Sequence, residues 1–196
     1  MKVTLKEVRL AFAQIWEPKA FQPGSPPKFN ANFLFDPKSP NTKIVNDAIQ
    51  AVAKEKWGAK AKEVLESVKG NPNKMCFRNG NTKPDYEGYP GNLFIGASSK
   101  VRPQILDRDK SQLSAADGRP YSGCWVNAVL DIWAQDNQYG KGVQCSLLGI
   151  QFVKDGDAFA GGSQASEDDF EDLSDGADAP DVGTHDDETG AAGGLV

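Results

Sequence analysis

The chain has 196 residues, of which 39% are hydrophobic and 25% are charged, and its formal net charge at pH 7 is −5. All 22 Lys and Arg residues but only 16 of the 27 Asp and Glu residues lie before residue 161, so the body is basic and the remaining 11 acidic residues follow it. This division excludes a uniformly acidic protein and is compatible with a polyanionic partner.

Composition also divides the chain at residue 160. Residues 1–160 hold nearly all aromatic side chains, which is enough apolar material for one hydrophobic core. Residues 161–196 are mostly Gly, Ala, Ser, Asp and Glu, and they cannot bury enough surface to offset the entropy of ordering. We therefore predict a folded domain over 1–160 and a disordered acidic tail over 161–196.

Several classes of site are excluded by the residues present. Cys76, Cys124 and Cys145 are widely spaced, and the single histidine, His185, lies in the tail, which argues against a zinc site and against a nucleophilic triad. The sequence has no phosphate-binding G-x-x-x-x-G-K-[ST] motif, and neither a signal peptide nor a membrane span is predicted. We expect no catalytic residue, no cofactor and no metal in a cytoplasmic protein.

The predicted elements begin with two strands. Apolar residues alternate over 8–13 and again over 29–35, on either side of a loop rich in Pro and Gly at 18–27. Helical spacing then predicts an amphipathic insert over about 41–69, which Asn41 or Thr42 caps and Gly58 interrupts.

The segments after the helical insert are again predicted to be strands. The β-type runs are 93–99, 104–106, 123–133 and 143–153. A helical insert within an otherwise antiparallel chain is typical of a small Greek-key β-barrel.

One predicted strand separates into two faces by parity. Cys124 and the alternate residues up to Ile132 are apolar, which leaves Trp125, Asn127 and Trp133 on the other face. An indole beside polar side chains on an open face is what stacking on a nucleobase requires. The alternative for either tryptophan is packing under the helical insert.

Basic and aromatic residues interleave along the body, as they do in nucleic-acid sites where cations contact phosphates and aromatic rings stack on bases. Each lysine alone could equally be a solvated surface charge. The candidate DNA-binding residues are Lys28, Phe29, Phe33, Arg78, Lys83, Tyr86, Tyr89, Lys100, Arg102, Trp125, Trp133, Tyr139 and Lys141.

Two acidic regions have alternative interpretations. Asp107, Asp109 and Asp117 could hold Mg²⁺ in a nuclease, but their spacing fits turns equally well. The tail could compete with a nucleic acid, dock its apolar residues into a partner, or only confer solubility. Its regulatory candidates are Glu167, Asp168, Asp169, Phe170, Glu171 and Asp172.

Several segments together resemble a known family. They are Lys-Pro-Asp-Tyr-Glu-Gly-Tyr-Pro-Gly at 83–91, Lys-Val-Arg-Pro at 100–103, Asp-Arg-Asp at 107–109, Asp-Gly-Arg-Pro-Tyr-Ser-Gly at 117–123, Val-Asn-Ala at 126–128 and Leu-Leu-Gly-Ile-Gln-Phe at 147–152. Taken together, these segments resemble the tailed-bacteriophage OB-fold single-stranded DNA-binding proteins once classed as a domain of unknown function, and the similarity spans nearly all of residues 1–160. The resemblance implies a replication or recombination accessory whose acidic C-terminus restrains DNA binding and recruits other replication proteins.

The tail departs from that family in one respect. Many of its tails end in an aromatic residue, whereas here Glu188 is the last acidic residue and the chain ends in Gly-Gly-Leu-Val. We therefore expect electrostatic masking more than docking through the terminus.

The sequence thus predicts a mainly β protein: an OB-fold barrel with a helical insert over 1–160, followed by the disordered acidic tail. The expected partners are single-stranded DNA, duplex DNA once the tail is removed, and phage or host replication proteins through the tail, in the cytoplasm of the host cell if a phage encodes the chain. A homodimer is left open. The alternatives are a protein-interaction adaptor with an acidic tail and a Mg²⁺-dependent nuclease.

Overall fold

The computed structural model describes residues 1–20 and 23–159, which contain seven strands and two α-helices. In chain order they are β1 (Lys2–Lys19), β2 (Lys28–Phe35), α1 (Pro40–Trp57), α2 (Ala61–Val68), β3 (Phe77–Asn79), β4 (Leu93–Ser99), β5 (Gln104–Leu106), β6 (Trp125–Asn137) and β7 (Gly140–Lys154). The tail prediction for 161–196 lies outside the described residues, as do its six regulatory candidates.

Five of the strands close into a barrel. β1 pairs antiparallel with β2 and β6, β2 pairs with β4, and β6 pairs with β7. A parallel bridge between Ser98 of β4 and Ser146 of β7 completes the circle, while β3 and β5 extend it at β4 and β7. A closed five-stranded barrel with this pairing is the OB architecture, so the predicted fold class is confirmed for the body.

The parity prediction for β6 is confirmed. Every second residue from Cys124 to Ile132 has no exposed surface, because it points into the barrel. The intervening side chains are partly accessible, and Trp133 is exposed. The apolar half of β6 therefore fills the barrel interior, and the other half faces outward.

The helical insert begins one position earlier than predicted. The side chain of Ser39, and not of Asn41 or Thr42, caps α1 by accepting a hydrogen bond from the Asn41 amide at 3.2 Å, and Pro40 opens the first turn. Asn41 is buried and instead bonds the backbone amide and carbonyl of Lys6 at 3.1 and 2.9 Å, which ties the helix to β1. Gly58, at φ 56°, ends α1 as expected from its backbone freedom.

The insert covers the barrel with one apolar face. The buried residues recur at helical spacing: Val45, Ala48, Ile49, Val52, Ala53, Trp57, Val64, Leu65 and Val68. They join the main core, which makes the insert part of the same folding unit. Among the helices of the described residues, none has the length and apolar character needed to cross a membrane.

Candidate nucleic-acid interface

The outer face of β2 and β4 is polar around Asn30 and Asn32. Asn30 lies opposite Ser98 and Asn32 opposite Gly96 in the antiparallel ladder, while the residues between them point into the barrel. A Cβ on Gly96 would lie 3.0 Å from Oδ1 of Asn32, so the strand carries no side chain here. The result is a shallow recess of about 390 Å³.

A second recess of about 460 Å³ adjoins the first, sharing Lys28, Ser98 and Gln144 with it. Its far wall is the β6–β7 hairpin, where Trp133 is 40% exposed and Tyr139 75% exposed. The Trp133 indole donates a hydrogen bond to Ser146 Oγ at 3.1 Å, which fixes the ring beside the opening. We call the two recesses together the groove.

The charge of the groove has one sign. Lys19, Lys28, Arg78 and Lys100 line it, and no Asp or Glu is found among the described residues that do so. Lys19 and Lys28 are directly opposite each other in the β1–β2 ladder, an arrangement that is destabilising for like charges. An anion bound here would neutralise both side chains.

The loop at 80–92 places a further cation among aromatic rings at one end of the groove. Lys83 Nζ lies 5.2 Å from the Phe12 ring centroid, 5.1 Å from that of Tyr86 and 5.4 Å from that of Tyr89. Burial and then the charge of Arg78 lower the pKa of Lys83. A phosphate placed here would offset both effects.

Arg78 connects this loop to the groove. Its guanidinium lies over the Phe94 ring at 4.6 Å, and burial lowers its pKa. Within the described residues, its buried Nε has no hydrogen-bond partner. The group is therefore held in place by stacking while part of its hydrogen-bonding capacity is unused.

Contacts within the loop bring its two ends together. The Gly80 amide donates to the Asn92 carbonyl at 2.8 Å, and Asn81 Oδ1 accepts from the Gly91 amide at 2.7 Å. A Cβ on Gly80 would lie 2.0 Å from the Tyr89 carbonyl oxygen, so only glycine permits this approach. The loop is thus a fixed wall for Lys83 and its neighbouring rings.

Comparison with known proteins identifies the family of this chain. A family model described as "Enterobacter phage Enc34, ssDNA-binding protein" matches residues 1–181. The chain belongs to this family. A relative named "Putative protein p50", from Acyrthosiphon pisum secondary endosymbiont phage 1, is 48% identical over 177 residues, which are 89% of this chain and 95% of the relative.

Solved structures agree on the fold. The single-stranded DNA-binding protein from bacteriophage Enc34 in complex with ssDNA has a TM-score of 0.68 at 24% identity and covers 80% of this chain and 88% of its own. The single-stranded DNA-binding protein gp2.5 of bacteriophage T7 has a TM-score of 0.54 at 14% identity, covering 97% and 99%. At these identities, the likeness shows the fold alone.

Three of the rings proposed from sequence are too deeply buried to stack on a base. Phe33 has no exposed surface, Phe29 is 7% exposed and Tyr89 is 1% exposed. The two phenylalanines alternate with Asn30 and Asn32 and so point inward, and these parts of the site prediction are corrected. Tyr89 packs on Phe94 outside the barrel, where burial raises its pKa to about 12 and its hydroxyl accepts a hydrogen bond from Asn32 Nδ2 at 2.6 Å.

The other candidates divide between the groove and its surroundings. Lys28, Arg78, Lys100, Trp133 and Tyr139 line the groove, and Lys83 and Tyr86 lie on the loop at its end. The remaining three lie outside the groove lining. Arg102 lies 5.8 Å from the Trp16 ring, Lys141 lies 3.9 Å from Asp136, and Trp125 lies between Arg9 and Lys154 at 5.3 and 5.2 Å.

Sequence reasoning missed Lys19, Asn30, Asn32 and Phe12. The parity of β2 could have identified the two asparagines as outward-facing residues between core phenylalanines. The opposition of Lys19 and Lys28 depends on strand register across a long loop, for which the sequence offers no signal.

The acidic residues considered for a nuclease stabilise turns. Asp107 pairs with Arg119 at 2.8 Å, and Asp117 accepts hydrogen bonds from the amide and hydroxyl of Ser114, both at 2.7 Å. These bonds lower the pKa of Asp117. Across residues 1–20 and 23–159, no cluster of three potential metal ligands is found.

Proposed function

We propose that this protein binds single-stranded DNA without strong sequence preference and serves phage DNA replication or recombination in the host cytoplasm, with no catalytic step of its own. The observation that carries the proposal is the groove, where the described lining residues include four cations and no carboxylate beside two exposed rings. Cations that follow a backbone and rings that stack on any base are the two components of sequence-independent recognition. The family description and the DNA-bound Enc34 structure support the same function.

Titration with oligo-dT is expected to quench intrinsic tryptophan fluorescence, because a base that stacks near Trp133 contacts an indole that is 40% exposed. The Trp133→Phe variant should lose most of the quench. Trp57→Phe is the matched control, since Trp57 is buried in the main core and should not report on DNA. Failure to bind oligo-dT in dilute buffer, even without residues 161–196, would overturn the proposed function.

The acidic tail is proposed to weaken DNA binding by its charge and to recruit replication proteins. Removing residues 161–196 eliminates 11 negative charges and leaves a chain of net charge near +6. We expect the affinity for oligo-dT to rise by about tenfold or more in dilute buffer, because a tethered polyanion has a high effective concentration. Duplex DNA should also become detectable as a ligand.

A tail of the same length in which the Asp and Glu residues are changed to Asn and Gln separates charge from chain length. We expect it to behave like the truncated protein in the oligo-dT titration. Equal affinities of the full-length, truncated and neutralised chains would contradict the proposed regulation.

A further inference from the structure

The pairing of strand β1 with its neighbours shifts register at three places, and two of these are bulges of a single residue. Leu5 and Val8 lie opposite Ala128 and Val126, and Ala11 and Gln14 lie opposite Asn32 and Asn30, so β1 has one extra residue at each place. Each bulge includes a residue other than glycine in the left-handed region: Glu7 at φ 47° and Phe12 at φ 49°. A bulge of this kind bends the strand and redirects a side chain.

Phe12 is an unexpected residue for such a position. Glycine adopts positive φ without strain, whereas a bulky side chain there is a clear outlier. Burial of the ring does not compensate, because Phe12 is 43% exposed. A strained backbone that holds an apolar ring in water indicates a role other than stability.

The surroundings of Phe12 indicate that role. Its ring lies 5.2 Å from that of Tyr86, which is 48% exposed, and both rings flank Lys83 Nζ at 5.2 and 5.1 Å. The cluster continues to the groove through Tyr89, whose hydroxyl bonds Asn32. Two exposed rings and one cation thus lie at the end of a surface lined by further cations.

We propose that Phe12, Tyr86 and Lys83 form a nucleobase-binding subsite at the end of the groove, in which one unpaired base stacks on the exposed ring pair and its phosphate contacts Lys83. This subsite rests on the proposed single-stranded DNA binding and adds a position to it. The β1 bulge is the positioning device, since a regular strand would direct residue 12 differently. The strain at Phe12 is then the consequence of presenting its ring to DNA.

The test compares Phe12→Gly, Phe12→Ala and Phe12→Tyr with Glu7→Gly. Glycine and alanine both remove the ring, but only glycine relieves the positive φ. We expect both to weaken oligo-dT binding by a similar factor, about tenfold, as for the loss of one stacked base. The melting temperature of Phe12→Gly should exceed that of Phe12→Ala, and Phe12→Tyr should keep the wild-type affinity.

Glu7→Gly is the matched control because it relieves the same strain in the same strand, at the bulge that faces β6. It removes an exposed carboxylate 3.5 Å from Lys154, so it should not weaken DNA binding. A second probe is an abasic strand of the same length as the oligo-dT. The wild type and Glu7→Gly should prefer the strand with bases, and Phe12→Gly should lose part of that preference.

Wild-type affinity in both Phe12→Gly and Phe12→Ala would overturn the subsite. An equal loss of affinity for the dT and abasic strands would also overturn it, because the ring would then act on folding or charge and not on a base. In either case, the wild-type protein would still bind oligo-dT, and the proposed function would stand. Failure of the wild-type protein to bind would instead refute that function.

Discussion

Reversing the charge of Lys28 and Lys100 is expected to weaken binding to oligo-dT about a hundredfold, since each change removes a cation that neutralises a phosphate and adds a repulsion. Both side chains are exposed in the groove, so the fold should tolerate the change. Lys28→Glu would also lie opposite Lys19, which replaces a like-charged cross-strand pair by an opposite-charged one. The protein should therefore melt at an equal or higher temperature while it binds DNA more weakly.

A matched control applies the same change of charge away from the groove. Lys60→Glu with Lys62→Glu places two carboxylates at the start of α2, where the helix dipole favours them. This variant should bind almost as well as the wild type. The affinity of each variant for oligo-dT is then measured at several salt concentrations. In a plot of log affinity against log salt concentration, the slope of the groove variant should be shallower by about 0.7 for each phosphate that is no longer neutralised, and the slope of the control should equal that of the wild type. Equal losses of affinity in both variants would mean that only net charge matters and that the groove is not the DNA site.

Much of the fold follows from local patterns. The parity of β6 separates core from surface because the strand alternates strictly, and the helical insert follows from apolar spacing that Gly58 interrupts. The closure of the barrel through Ser98 and Ser146 joins residues far apart in sequence, and neither side chain predicts a bridge. The order of the predicted elements favoured a small Greek-key barrel, and the family resemblance specified the OB fold, but neither identified the residues that close it.

The site could be predicted less completely, for two physical reasons. Aromatic residues suit both a core and a stacking site, so the interleaving of basic and aromatic residues placed Phe29, Phe33 and Tyr89 among the candidate DNA contacts although all three are buried. The bulge at Phe12 inverts the usual alternation of β1, so an apolar residue that parity assigns to the core is 43% exposed. Lysine and arginine are rarely buried, so the sequence candidates included three of the four cations that line the groove among the described residues, but not Lys19, whose position depends on strand register.

The correction at Phe33 leads to a second large effect, this time on stability. Phe33 is fully buried in the main core and lies opposite Leu10 and Ile95 in the barrel wall. Phe33→Ala should lower the free energy of unfolding by about 3–5 kcal/mol, because the variant buries less apolar surface and leaves a cavity. Urea denaturation of the two proteins measures this difference.

The matched comparison is Trp133→Ala, which removes an exposed ring from the groove. Its unfolding free energy should change by less than about 1 kcal/mol, the usual size of a cross-strand interaction, while its affinity for oligo-dT falls. Phe33→Leu keeps most of the core volume, so it provides a folded variant if Phe33→Ala unfolds completely. Its folded form should bind DNA as the wild type does. If Phe33→Leu bound DNA more weakly at unchanged stability, Phe33 would have to contact DNA, and the inward direction of alternate β2 residues would be wrong. Opposite effects at Phe33 and Trp133 follow from strand parity alone, because one ring points into the barrel and the other points out of it.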